Sequence, residues 1–326
     1  MVNWLRYSLL FLGLSFLFSF AQTSYWGFYG HKKINRLAVF AVPKDLFYLY
    51  KHNIEFITEH AVDPDKRRYA VNGEAPKHFI DIDHYQVGDS SAFDVMPRYW
   101  KDAVNKFSED TLEAYGIVPW HVLAMKSKLT NAFLNKDLSR IVKLSADIGH
   151  YIADAHVPLH TTENYNGQLT GQKGIHAFWE SRLPELYANK YDFWVGQAQY
   201  ISDPNTFIWE AIESSHLALD SVLLIEKKLT EEFGERRKYS FEQRGNQTVK
   251  VYSKEFSEAY HSALNGMVER RMRKAIIAVA SFWYTAWVDG GQPEVRELLA
   301  DTTIRIIPDQ IEDSGVVDSL RIHEHN

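Results

Sequence analysis

The stretch HYIADAHVPLH, His150–His160, decides how this chain is read. On a helix, residues four apart stand one above the other, about 6 Å apart at Cβ, so His150 and Asp154 project from one face as half of a cation site. Asp147 lies a turn earlier on that face, where it can orient His150 from behind. Pro158 stops the helix, since it has no N–H to give and its ring clashes with the preceding turn. His160, beyond the stop, can then turn toward a different ion. A lone histidine in an apolar segment is more often a satisfied core residue; recurrence of the pattern raises this one above that.

The pattern recurs at HAFWE, where His176 and Glu180 again set imidazole and carboxylate one turn apart. The polar, glycine-rich segment Thr161–Gly174 precedes it and reads as a loop that returns the chain to His160. Upstream stand His31, in WGFYGH, and Asp63 and His78, in EHAVDPDKRRYAVNGEAPKHFIDIDHY. Imidazoles with carboxylates are what zinc takes in catalytic sites, which keep a position open for water. Donors in five separate segments suit more than one ion.

Most of the remaining chain returns apolar residues every three or four positions, the period of an amphipathic helix. Ile34, Leu37, Ala38 and Ala41 form one stripe, ended at Pro43, and Ile141, Leu144, Ile148, Tyr151 and Ala155 form another. Met267–Val288 reads as a helix, basic in its first half and apolar in its second, stopped by Gly290-Gly291-Gln292-Pro293. Its apolar part is shorter than the roughly 20 residues a membrane span needs, so it reads as a core helix. Glu235–Tyr252 mixes charges with a β-branched run after Gly245-Asn246 and reads as a short hairpin or a surface excursion.

Met1–Ala21 has the form of a secretory leader: Arg6, the apolar run Tyr7–Phe20, then small residues at a cleavage point after Ala21. Export after cleavage is the expectation. The 326-residue chain has no cysteine and 45% hydrophobic residues, so packing and bound metal, not disulfides, must stabilise it. Of its net charge of −6, the segment from Asp289 onward carries nine acids against three bases, leaving the body near neutral. That excludes the clustered lysine and arginine of a duplex-DNA binder. With no internal repeat or linker, the simplest organisation is one helical domain, 22–289, between the leader and an acidic tail, 290–326. No obligate protein partner is indicated.

The donor residues and their order resemble the zinc-dependent phospholipase C and S1/P1 nuclease family, over Trp26 to about Val288, most specifically in HYIADAHVPLH and then in HAFWE. The resemblance implies an all-α fold and two or three zinc ions. It implies that Asp63, His78, His150 and Asp154 surround one ion and that His160, His176 and Glu180 hold a second. Trp26 and His31 would hold a third, with Asp154 as a bridge. In the family the mature chain begins at the tryptophan; cleavage after Ala21 would leave four residues ahead of Trp26, so that only its carbonyl could bind. Glu180 in place of aspartate and the sixteen-residue gap from His160 to His176 point to the phospholipase branch.

The implied activity is hydrolysis of a phosphodiester, with Asp63 as candidate proton acceptor as well as ligand. Phospholipid is the first expected substrate, and single-stranded nucleic acid or nucleotides the alternative. Phe79 would form an apolar wall, Asp81 occupies the position that bonds a base in the nucleases, and Asn166 lies in the loop that carries a paired glycine there. Lys66-Arg67-Arg68, beside Asp63, could bind a phosphate but reads first as a solvated charge run. A non-catalytic zinc-binding helical protein is the competing reading, against which stands a donor set unlike the closed, cysteine-rich sites of structural zinc.

Overall fold

The computed structural model describes residues 27–86, 88, 90–244, 247–300 and 306. The leader Met1–Ala21, the expected ligand Trp26, and residues 301–305 and 307–326 of the expected tail lie outside the described residues.

The fold is all-α apart from one hairpin. Six helical elements position the site: α1 (Phe28–Ala38), the single turn α2 (Asp63–Arg67), α3 (Val118–Leu134), α4 (Leu138–Asp154), α5 (Pro204–Phe233) and α6 (Met267–Asp289). Two of them, α4 and α5, open on side-chain caps. Asp137 accepts the Arg140 N–H at 3.0 Å to open α4, and Asp203 accepts that of Thr206 at 3.1 Å to open α5. Both caps satisfy one of the amides a helix start leaves without an internal partner.

α4 is the axis of the fold, packed by α3, α1 and α6. From Ser145 to Asp154 it is buried at all but one position, Asp147, so it presents no solvent face there. Gly149 makes the close α1 crossing possible, because a Cβ at that position would overlap the Asn35 amide. Asn35 in turn donates to the Ala146 carbonyl at 3.0 Å. On the opposite side Trp283 of α6 stacks on Tyr50 at 4.4 Å, donates to the Ser145 carbonyl at 3.0 Å, and so fastens α6 to α4. Full burial of each such side chain is worth roughly 1.5–3 kcal/mol, so these contacts fix the back of α4 firmly.

The segment Glu235–Tyr252 forms a helical turn, Glu235–Lys238, followed by the antiparallel pair β1 (Tyr239–Arg244) and β2 (Gln247–Tyr252). It docks through Tyr252, stacked on Phe178 at 3.8 Å, and through buried Lys238, 2.8 Å from Glu226 of α5. Met267–Asp289 is helical as expected. No described helix is long and apolar enough to cross a membrane. The start of the expected tail packs more closely than its polarity suggested: Val295 and Leu298 are buried, and the Pro293 carbonyl accepts from the Trp287 indole at 3.1 Å.

Candidate metal centre

Eight buried side chains converge: His31, Asp65, His78, His150, Asp154, His160, His176 and Glu180, none more than 9% exposed. They come from α1, α2, the 3-10 turn Ala75–His78, α4, the 3-10 turn Pro158–Thr161, and the helical segment Ile175–Ala177 that runs into a π-turn, Phe178–Arg182. Four triads have donor atoms within 4.8 Å of one another: His31–Asp65–His150, His78–His150–Asp154, His160–His176–Glu180 and His31–Asp154–Glu180.

Two hydrogen bonds to backbone carbonyls join distant segments at the centre. The Ile80 N–H donates to the His160 carbonyl at 2.9 Å, and His160 Nδ1 donates to the His78 carbonyl at 2.7 Å. His150 Nδ1 likewise donates to the Ala61 carbonyl at 2.9 Å. A ring nitrogen that donates to a carbonyl leaves the other nitrogen to face the cluster, and this is how proteins orient metal-binding histidines. His150 Nε2 accordingly lies 3.0 Å from His78 Nδ1 and 3.2 Å from Asp154 Oδ2, while His160 Nε2 lies 2.9 Å from His176 Nε2.

The carboxylates divide their oxygens. Asp154 turns Oδ2 to His78 at 2.9 Å and Oδ1 to His31 at 3.5 Å. Glu180 turns Oε1 to His31 at 3.2 Å and Oε2 to His176 at 2.8 Å. Each therefore bridges two donor groups. His31 stacks on His150 at 4.0 Å, which brings the α1 and α4 donors together.

The charge balance of the cluster calls for cations. Burial raises carboxyl pKa values, yet the surrounding histidines hold Asp65, Asp154 and Glu180 below the usual carboxylate range. Burial likewise opposes charge on His160, but Asp154 and Glu180 raise it to about 9; His150 is raised in the same way by Asp154 and Asp65. Burial dominates at His78, which falls to about 4. Protons on His150 and His160 thus offset only two of the three buried carboxylates, and divalent cations would displace those protons while supplying more positive charge. The donor chemistry, the carbonyl-oriented imidazoles and this unbalanced charge all fit bound divalent metal such as zinc.

The sequence expectations are brought together at His31, His78, His150, Asp154, His160, His176 and Glu180. Asp63 is not part of the cluster. Its carboxylate pairs with His60 at 2.6 Å and Lys66 at 2.8 Å, and Asp65 stands in the position expected of it, 3.5 Å from His150 and 3.8 Å from His78. Asp147 does not orient His150 either; it pairs with Arg67 at 2.9 Å, and the Ala61 carbonyl does the orienting.

The charge run Lys66-Arg67-Arg68 is not uniformly solvated. Arg68 is 7% exposed, and none of its three guanidinium nitrogens has a hydrogen-bond partner among the described residues. Its positive charge helps to depress both His78 and His176, so it lies near the two donor groups. Phe79 and Asp81 are buried at 2% and 1%, continuous with His78. Asn166 accepts the Gly174 N–H at 2.9 Å and closes the loop. Asp65 escaped sequence reasoning, and Arg68 was seen only as one member of a basic run; DPDKRR carries no signal that separates its two aspartates or its two arginines.

No protein-family profile and no curated protein sequence matches the chain. Among solved structures, it is similar to the Clostridium perfringens alpha-toxin from avian strain SWCP, at 12% identity and a TM-score of 0.45, over 82% of this chain and 64% of that one. It is also similar to the alpha toxin of Clostridium absonum, at 11% identity and a TM-score of 0.43, over 88% and 67%. The chain therefore spans less than two thirds of the first toxin's length. Likenesses this faint leave the centre to stand on its own geometry.

Proposed function

We propose that this chain is an exported zinc-dependent phosphodiesterase, phospholipase C-like in its substrate. The observation that carries the reading is the convergence of five imidazoles and three carboxylates beside Arg68, a buried guanidinium without a partner among the described residues. A cation cluster alone fits a storage or structural role. A cation cluster near such an arginine fits an anionic ligand that both would contact.

Asp65, His78, His150 and Asp154 would hold one ion, His160, His176 and Glu180 a second, and His31 with Asp154 and Glu180 a third. When bound, zinc supplies Lewis acidity toward phosphoryl oxygens and lowers the pKa of water toward about 7. Arg68 contributes fixed positive charge, already desolvated, to the phosphoryl oxygens. Asp65, held well below neutrality, is too weak a base to store a proton at pH 7; it orients the attacking water by accepting its hydrogen bond. The near-neutral body, without a basic stripe for a polyanion, favours a lipid phosphodiester over a nucleic acid.

The test pairs metal analysis with hydrolysis of phosphatidylcholine, single-stranded RNA and an aryl phosphodiester, each with and without chelator. Chelator-sensitive release from phosphatidylcholine supports the reading. Release from RNA alone transfers it to a single-strand nuclease, and bound zinc with no hydrolysis leaves a zinc-binding protein.

A further inference from the structure

Bordered by His31 and Glu180 of the metal centre lies a small, half-open pocket walled mainly by apolar side chains, among them Ile34, Val157, Val268 and Met272. Arg271 of α6 lines it and is 6% exposed. Its Nε donates to the His156 carbonyl at 3.1 Å and its Nη1 to Ser214 Oγ at 2.9 Å, which leaves Nη2 buried without a partner among the described residues. Trp179 lines the same pocket, 3% exposed, and its indole N–H also lacks a partner there.

Neither of Arg271's two bonds is to a carboxylate. Glu180, the acid in the pocket wall, spends both oxygens on histidines, Oε1 on His31 and Oε2 on His176 and His160. Burial alone lowers Arg271 to about 10, with no acidic neighbour opposing it. The guanidinium remains charged at neutral pH, so it is a buried cation without a counter-ion among the described residues, and buried charges are ordinarily paired. A clamp between α4 and α5 would account for Nε and Nη1. It does not account for Nη2, for the unpartnered indole, or for the open space beside them.

We infer that this pocket binds a small oxyanion with a short apolar body, its charged end on Arg271 Nη2 and the Trp179 indole N–H and its apolar part against Val268 and Met272. A carboxylate and a phosphate share that chemistry. Because the anion rests on Arg271 and not on the cation donors, its binding persists without zinc and is independent of the proposed phosphodiesterase activity.

The full chain, freed of metal by chelator and labelled with ¹⁵N at tryptophan, is titrated with butyrate, with inorganic phosphate and with neutral butanol while the Trp179 indole resonance is followed. Trp179→Phe assigns that resonance. A saturable shift with either anion and none with butanol is expected; the anion that produces it identifies the class. Arg271→Gln weakens the binding about tenfold or more, with the melting curve retained. No saturable shift from either anion, an equal response to butanol, or unchanged affinity in Arg271→Gln overturns the inference. Should Arg271→Gln fail to fold, Ala275→Leu, which narrows the pocket and spares the guanidinium, decides it: lost binding supports the site, and unchanged affinity overturns it.

Discussion

Asp154 and His150, one helical turn apart on α4, bring Oδ2 within 3.2 Å of Nε2, and the second Asp154 oxygen reaches His31 at 3.5 Å. One carboxylate thus borders two donor groups. Asp154→Asn removes a bridging charge that no neighbour replaces. Turnover is expected to fall by more than the roughly 10–100-fold that loss of a supporting residue costs, and bound zinc to fall by at least one ion per chain. Mass-spectrometric metal content and phosphodiester turnover check this together.

Asp65→Asn and Asp63→Asn separate two aspartates that stand two residues apart. Asp65 lies beside His150 and His78, and Asp63 beside His60 and Lys66. Only Asp65→Asn should lose metal and activity. Asp63→Asn should keep both and shift stability by less than about 1 kcal/mol, since it loses partly exposed pairs.

Arg68→Met tests whether this guanidinium, without a hydrogen-bond partner among the described residues, serves catalysis at the expense of stability. Activity should drop by about 10²–10³, the usual effect of deleting one charge-stabilising donor, with zinc content unchanged. Removing an uncompensated buried charge should also raise stability by roughly 1–4 kcal/mol. A lower melting temperature in this variant would show that Arg68 is paired in the folded protein.

The fold was legible wherever periodicity and punctuation agree. α4 with its proline stop, α6 with its glycine stop and the Thr161–Gly174 loop follow from local spacing, whereas Glu235–Tyr252 left a hairpin and a surface excursion both open. The donor series follows from spacing too, because i, i+4 pairs share a helix face whatever the tertiary context. The choice between Asp63 and Asp65 was not legible. Residues two apart point to opposite sides of a turn, and the rotation of α2 is set by long-range contacts such as Arg67–Asp147 at 2.9 Å. Burial of Arg68 was illegible for the same reason: a basic run reads as solvated until the fold closes over one member. The packing of Val295 and Leu298 was hidden by their acidic surroundings.

His156 gives stability a pH dependence. Burial, then the nearby Arg271 charge, lowers it to about 3, against about 6.5 in an unfolded chain. Between these values the unfolded state takes up a proton that the folded state refuses. Stability from this group is therefore complete above about pH 6.5 and is lost as pH falls toward 3, by at most about 1.4 kcal/mol per pH unit. Urea midpoints of chelated wild type and His156→Gln, measured at intervals across this range, should show the shallower slope in the variant. Equal slopes would place the titration elsewhere.

Gly149→Ala should destabilise the protein although alanine is the better helix former. The propensity gain is about 1 kcal/mol, whereas overpacking a core costs about 1–3 kcal/mol. Here the added Cβ meets Asn35, which is held by the Ala146 carbonyl at 3.0 Å and cannot easily withdraw. Thermal unfolding reads the net loss.

Anomalous scattering at the zinc edge, from crystals grown with zinc, tests the centre most directly. The account predicts peaks about 2.0–2.3 Å from His150 Nε2 and Asp154 Oδ2, and from the Nε2 atoms of His160 and His176 with Glu180. Zinc found only on surface histidines such as His52, with those donors bare, would contradict it.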